Sequence, residues 1–209
     1  MHAFIAGASG LIGGECLKLL LERYSSVTAL VRRPLGISHA RLTELQVDFS
    51  EIQNIELPER AHVFCTLGTT LRKAGSKETF LKVEFDYPLA LARRAAATGS
   101  ARFVIVTAVD ANATSLSVTL RTKARLEDAL AGLSLPLHVL RPSFVFADLT
   151  KLPRAKRIWL IALGRSLVTR YRPIDAQSLA RAMVAAAMSP GAGTHVYHHD
   201  EIRVAADRF

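Results

Sequence analysis

The stretch Met1 to Gly14, MHAFIAGASGLIGG, constrains this chain most. A short apolar run, Ala3 to Ala6, has strand character and ends at Gly7-Ala8-Ser9-Gly10-Leu11-Ile12-Gly13, after which Glu15 to Arg23 carries an amphipathic helical pattern. In such a strand, glycine turn and helix the backbone bends sharply and approaches a pyrophosphate closely. The helix N-terminus then offers free N–H groups and a positive dipole end to the phosphates. The spacing is GxxGxxG rather than the GxGxxG of the simplest dinucleotide folds, and a glycine run alone also fits an ordinary strand-to-helix turn. Its context favours the nucleotide reading, with Gly7, Ser9, Gly10, Leu11, Ile12 and Gly13 around the phosphates and the Ser9 hydroxyl as an added contact.

Downstream, apolar strand-like runs alternate with helical patterns. Val27 to Val31, Leu45 to Val47, Val63 to Cys65, Phe103 to Thr107 and Leu137 to Leu140 read as strands two to six; Glu15 to Arg23, Phe85 to Thr98 and Ser117 to Leu130 read as helices. Continuous apolar runs such as FVIV suit strands buried on both faces, and the alternation predicts an α/β fold of Rossmann type, a doubly wound parallel sheet with right-handed crossovers. After Pro142 the pattern loosens, with helical stretches at Leu152 to Leu163 and Asp175 to Met188 and a short strand candidate at His195 to Tyr197.

At 209 residues, half of them hydrophobic, the chain suits a single domain. A cofactor-binding core is expected over about residues 1–145 and a substrate-covering region over about 146–209. Cys16 and Cys65 have no ligand spacing, so no metal site is expected, and buried thiols in a reducing, cytoplasmic compartment are. Neither a signal peptide nor a membrane span is visible. The net charge of +9 and pI near 10.1 allow nucleic acid, an anionic membrane or acidic ligands, but the cations are scattered. Only Lys151 to Arg157, KLPRAKR, is densely basic, with apolar IWLIAL behind it; a solvated helix face over a hydrophobic underside is favoured there over a membrane or nucleic-acid surface.

Several motifs taken together, GASGLIGG, ALVRRPL, CTLGTTLRKAGS, KVEFDYPLALARRAA, FVIVTAVDA, the helix containing Lys123 and VLRPSFVF, resemble the atypical short-chain dehydrogenase/reductases. Within them the chain looks like the Tat-interacting-protein-like oxidoreductase branch, whose CxLGTT…KAG stretch is matched from Cys65 through Gly75. The resemblance covers roughly residues 1–145 well. It implies an NAD(P)-binding fold, and it is less specific for reaction, because the superfamily includes reductases, epimerases and proteins that bind cofactor without turnover.

Cofactor choice follows from charge. In a dinucleotide fold the end of the second strand meets the adenosine ribose, where a carboxylate suits a 2′-OH and an arginine a 2′-phosphate. Arg32 and Arg33 stand there, so NADP(H) is favoured over NAD(H); two exposed arginines opening a loop are the alternative. The resemblance implies further contacts: Asp48 and Phe49 at the adenine edge, where a turn aspartate fits nearly as well, Leu67, Gly68 and Thr69 near the nicotinamide ribose, and Pro142 and Ser143 in the loop walling the nicotinamide.

The family's usual apparatus is a Tyr four residues before a Lys on one helix, with a Ser or Thr at the end of the fifth strand. The lysine lowers the phenol pKa and the hydroxyl orients the substrate oxygen. By resemblance Lys123 fits the lysine, also as a holder of the nicotinamide ribose, and Thr107 fits the hydroxyl. Thr119 stands in the tyrosine's place, and its hydroxyl titrates far too high to replace a phenol.

Among the tyrosines, Tyr24 and Tyr87 suit core or rim roles. Tyr171, between Arg170 and Arg172 in the C-terminal region, is a candidate pocket acid, with an ordinary packing role as the alternative. His195, His198 and His199 read as surface residues.

Three functions compete. The first is an NADP(H)-dependent oxidoreductase acting on a small carbonyl-type substrate with an altered proton donor. The second is a noncatalytic NADP(H)-binding redox sensor or regulator that binds a partner protein. The third, a basic nucleic-acid module, is disfavoured because it has no need of a pyrophosphate turn. An oligomer is compatible with the sequence.

Overall fold

His2–Ala6 (β1) buries all but its first residue, and Ser26–Val31 (β2), His62–Cys65 (β4), Arg102–Val106 (β5) and Leu137–Leu140 (β6) are almost as deeply covered. Strands hidden on both faces need helices above and below, which is why these runs carry hardly any polar alternation. With Leu42–Gln46 (β3) and Thr194–Tyr197 (β9) they form one seven-stranded parallel sheet in the order β3-β2-β1-β4-β5-β6-β9. The computed structural model describes residues 1–147 and 168–209.

Successive residues of each strand serve opposite layers. Ala3 and Ile5 of β1, with Val104 and Val106 of β5, pack against Leu20 of Leu11–Arg23 (α1) and Leu179 and Met183 of Ala176–Met188 (α6). Phe4, Ala6, Phe103 and Ile105 face the other way, toward Leu91 and Ala95 of Tyr87–Ala97 (α4) and Leu126 and Leu130 of Val118–Ala131 (α5). Two cores on two sheet faces make the fold doubly wound, and each fully buried Leu, Ile or Phe contributes about 1.5–3 kcal/mol.

Several expected boundaries shift. The third strand, expected at Leu45 to Val47, runs from Leu42 to Gln46; as an edge strand it exposes Thr43, Leu45 and Gln46, so its polar residues masked it. The first helix begins at Leu11, inside the glycine turn. The helix expected from Phe85 begins at Tyr87, preceded by Leu71–Ala74 (α2), Lys77–Leu81 (α3) and a π-turn, Lys82–Asp86. Phe49–Asn54 is a 3-10 turn, and Val145–Phe146 (β7) and Ile174–Asp175 (β8) pair in a small second sheet. The last helix, His199–Asp207 (α7), lies in the stretch read as surface histidines.

The expected helix at residues 152–163 and the basic segment 151–157 lie outside the described residues. In the stretch expected to cover a substrate, α6 packs on α1, and β9 extends the sheet beside β6.

Cys16 and Cys65 are buried free thiols, and burial pushes the Cys65 thiol up to about 11. No helix among the described residues is long and apolar enough to cross a membrane.

Candidate functional site

Beyond the carboxyl ends of the strands the chain reverses into its loops, and the glycine turn stands at the middle of that edge. Gly7 follows β1 with φ of +95°, and a Cβ added there would lie 2.6 Å from Thr66 Oγ1 and 2.7 Å from the Thr66 carbonyl carbon. Gly13, one turn into α1, meets the same hydroxyl at 2.6 Å, so both glycines let α1 and the end of β4 close onto the turn. The Gly10 N–H donates to the Gly7 carbonyl at 2.9 Å, and Gly10 caps α1 without a side-chain acceptor. The first N–H groups of the helix are therefore left without a side-chain cap, beside the exposed Ser9, Gly10 and Leu11 and the half-buried Ile12.

On the β2 side, Arg32 and Arg33 are exposed just past the strand, and neither guanidinium forms an ion pair among the described residues. The Gln46 side chain donates to the Arg32 carbonyl at 3.2 Å, tying that corner to β3. Asp48 caps the following 3-10 turn: its Oδ1 accepts the Ser50 N–H at 2.9 Å, which holds the carboxyl below its usual range. Phe49 is buried, tilted against Tyr87 with ring centroids 5.7 Å apart.

On the β4 and β5 side the loop Thr66 to Thr70 meets the π-turn. Glu84, almost wholly buried, accepts the Thr69 N–H through Oε1, and its Oε2 faces Lys123 Nζ at 2.7 Å; this is an ion pair in which Oε2 accepts no aligned hydrogen bond. Thr69 thus turns its N–H inward, while Leu67 is half-buried and Gly68 exposed in the same loop. Thr107, just past β5, is held by its N–H on the Leu140 carbonyl at 2.9 Å, and its Oγ1 is buried with no hydrogen-bond partner among the described residues. Such a buried hydroxyl is costly unless a partner beyond the described residues completes it. Thr119 is half-buried one turn before Lys123 on α5.

Past β6, Arg141 Nε donates to both carboxylate oxygens of Glu127 on α5, Oε2 at 3.0 Å and Oε1 at 3.2 Å, and one terminal nitrogen donates to Oε2 as well. Pro142 is buried and accepts the Val109 N–H at 2.9 Å, and the Ser143 hydroxyl donates to the Arg172 carbonyl at 2.6 Å. Tyr171 lies in the short 3-10 turn Thr169–Tyr171, where Arg170 donates to its phenol oxygen at 2.7 Å and covers its ring at 4.7 Å. It lines a hollow of about 670 Å³ with Asp110, Asn112, Glu127, Arg141 and His198, and Thr107, Thr119 and Lys123 are not among its walls. The structure joins Lys123 to the loop after β4 through Glu84, sets Thr107 just past β5, the strand beside β4, and puts Tyr171 in a separate hollow.

The remaining titratable groups lie elsewhere. Tyr24 is buried with its OH on His62 Nδ1 at 2.7 Å. Tyr197 bonds His138 Nδ1 at 2.9 Å, His195 is exposed, His198 caps α7, and His199 is buried. No group of three metal-ligating side chains occurs among the described residues.

Sequence reasoning missed Glu84 and the Glu127–Arg141 pair. A signal for Glu84 existed: Phe80, Glu84 and Pro88 share an apolar face at helical spacing, with all three buried.

Residues 7–190 match the profile of a family described as NAD(P)H-binding. The protein HTATIP2 of Rattus norvegicus is 31% identical over 203 residues, which cover 91% of this chain and 82% of that protein. The mitochondrial protein FMP52-1 of Scheffersomyces stipitis is 30% identical over 155 residues, 71% of this chain and 69% of that one. Among solved structures, the Bordetella bronchiseptica enzyme WbmH in complex with NAD+ superposes with a TM-score of 0.67 at 18% identity, over 94% of this chain and 75% of that one. The UDP-glucose 4-epimerase of Thermotoga maritima with UDP-glucose gives 0.66 at 17%, over 94% and 76%. At these identities the structural likeness is one of fold.

Proposed function

The chain belongs to the NAD(P)H-binding family, among the atypical short-chain dehydrogenase/reductases, and from that premise we propose that it is an NADP(H)-preferring oxidoreductase of a small carbonyl-type substrate. The observation that carries the reading is the gathering, along one edge of one sheet, of an uncapped helix behind Gly7 and Gly13, the Lys123 ammonium, and Arg32, Arg33 and the Thr107 hydroxyl, which have no ion-pair or hydrogen-bond partner for their side-chain charge or Oγ1 among the described residues. These residues fit a dinucleotide: a Cβ would fill the glycine cradle, and the buried hydroxyl, without a partner among the described residues, suits a ligand oxygen.

In this reading the turn from Gly7 to Gly13, with Ser9, Leu11 and Ile12, holds the pyrophosphate. Arg32 and Arg33 pair with the 2′-phosphate, and Asp48 and Phe49 border the adenine. Leu67, Gly68 and Thr69 border the nicotinamide ribose, whose hydroxyls Lys123 holds, and Pro142 and Ser143 wall the ring. The bound cofactor supplies hydride; Thr107 orients the substrate oxygen. Thr119 presents no acid able to protonate that oxygen near neutral pH, so Tyr171 is the candidate donor from the adjoining hollow.

A second reading, a noncatalytic NADP(H)-binding regulator that contacts a partner protein, is favoured by Thr119 itself. The intact glycine cradle speaks against a nucleic-acid module. Measuring NADPH oxidation with aldehydes, ketones and quinones separates the two readings: turnover supports the oxidoreductase, while tight binding without turnover supports the regulator. Cytoplasmic residence belongs to the same proposal and rests on the two free thiols, whereas the FMP52 relatives are mitochondrial by name. Cell fractionation decides between these compartments.

A further inference from the structure

Glu84 stands where the π-turn leads into α4, and its side chain is only 3% exposed. A carboxylate so deep is tolerated only where its oxygens are matched. Both are matched across separate elements: Oε1 takes the Thr69 N–H from the loop after β4, and Oε2 faces the Lys123 ammonium of α5 at 2.7 Å. The fit on the loop side is close, since a Cβ added at Gly68 would lie 3.4 Å from Glu84 Oε1. The π-turn contributes as well. An inserted residue changes the direction of side chains before it relative to those after it, and α4 is anchored to the sheet by Leu91, Ala92 and Ala95. The wide turn therefore sets where Glu84 points.

We propose that Glu84 is a positioning residue that pins the Lys123 ammonium and the loop 67–69 to one buried carboxylate, so that the two reach the nicotinamide ribose as a single preformed unit. This rests on the NADP(H) reading above. Lysine has three N–H donors. With the ammonium held against Glu84 by charge at 2.7 Å, its donors remain for the ribose hydroxyls, at little further loss of side-chain freedom. The adenosine half of the cofactor, over β1 and β2, makes no use of Glu84.

That asymmetry supplies the test. Affinities of the full chain for NADPH and for adenosine 2′,5′-bisphosphate, which has the adenosine half and no nicotinamide ribose, are measured by calorimetry before and after Glu84→Gln. Glutamine keeps an oxygen for Thr69 but turns an amide on the ammonium and removes its counter-charge. The expected result is an NADPH affinity lower by about tenfold or more, with the bisphosphate affinity unchanged within about twofold. Equal losses for both probes would reduce Glu84 to a general support of the fold and overturn the proposal, as would no loss for either. Should Glu84→Gln fail to fold, Glu84→Gln/Lys123→Gln removes both charges together. It is expected to keep the bisphosphate and lose NADPH, and NADPH affinity equal to that of the unaltered chain would overturn the proposal. If the unaltered chain binds the bisphosphate and NADPH equally well, the nicotinamide end makes no contribution and the proposal fails while the adenosine site stands. If it binds neither, the cofactor reading fails first.

Discussion

His138 and His195, register partners on β6 and β9, stack with ring centroids 5.3 Å apart and planes 16° from parallel. His138 Nδ1 bonds Tyr197 OH, and Nε2 is buried with no partner among the described residues. Burial, with the positive neighbours His195, Arg102 and His62, takes the His138 ring down from 6.5 to about 4; His62 falls to about 4 through burial and the charges of Arg102 and the N-terminus. Both rings are therefore neutral in the folded chain where the unfolded chain is already protonated, so the unfolded state binds more protons between about pH 6.5 and 4. Stability should be level above pH 7 and fall as pH drops through that window. Urea unfolding across pH 4.5–8 checks this, with a shallower fall expected in His138→Phe; stability that rises on acidification would contradict the assignment.

The two adjacent glycines of α1 should respond oppositely to alanine. At Gly13 a Cβ meets Thr66 Oγ1 at 2.6 Å and the Gly7 carbonyl carbon at 2.7 Å, whereas at Gly14 the nearest atom, the Ala8 oxygen, is at an ordinary 3.6 Å. Gly13→Ala should cost about 1–3 kcal/mol and weaken NADPH by about tenfold or more, through displacement of the turn. Gly14→Ala should leave binding intact and stabilise the helix by about 0.5–1 kcal/mol. Thermal melts with NADPH titrations check both.

If Thr119 occupies the place of a missing acid, turnover of simple carbonyls should be slow, because loss of a positioned acid costs about 10²- to 10⁴-fold in rate. Thr119→Tyr should raise NADPH oxidation with a quinone or aldehyde, by less than the full factor because Glu84 already neutralises Lys123. Brisk turnover of the unaltered chain that collapses in Tyr171→Phe would place the donor in the neighbouring hollow. Brisk turnover that survives both Thr119→Ala and Tyr171→Phe would refute both placements.

The central strands were legible because burial on both faces forces continuous apolar runs, and Leu137–Leu140 shows this most simply. The edge strand Leu42–Gln46 was half hidden because solvent accepts Thr43 and Gln46 where a core would not. The last helix opens on His199, Asp200 and Glu201, charges that suit a helix N-terminus yet resemble a surface loop; only the capping box between His198 and Glu201 marks its start. The glycine turn could be read because backbone geometry dictates residue type there. Glu84 and Glu127 could not, because the burial of an acid depends on a partner that arrives from another element: Lys123 for one, Arg141 for the other. Thr107 and Lys123 were reached through resemblance, and their environment became visible only once β5 and α5 were in place.

The central claim is a cofactor site with a phosphate-reading corner at Arg32 and Arg33. Calorimetric titration of the unaltered chain with NADPH and NADH at one salt concentration tests it most directly. A charge-assisted contact worth about 1.4 kcal/mol or more predicts at least about tenfold tighter binding of NADPH, and Arg32→Ala/Arg33→Ala should erase the difference while NADH affinity holds. Equal affinity of the unaltered chain for the two cofactors would contradict the account.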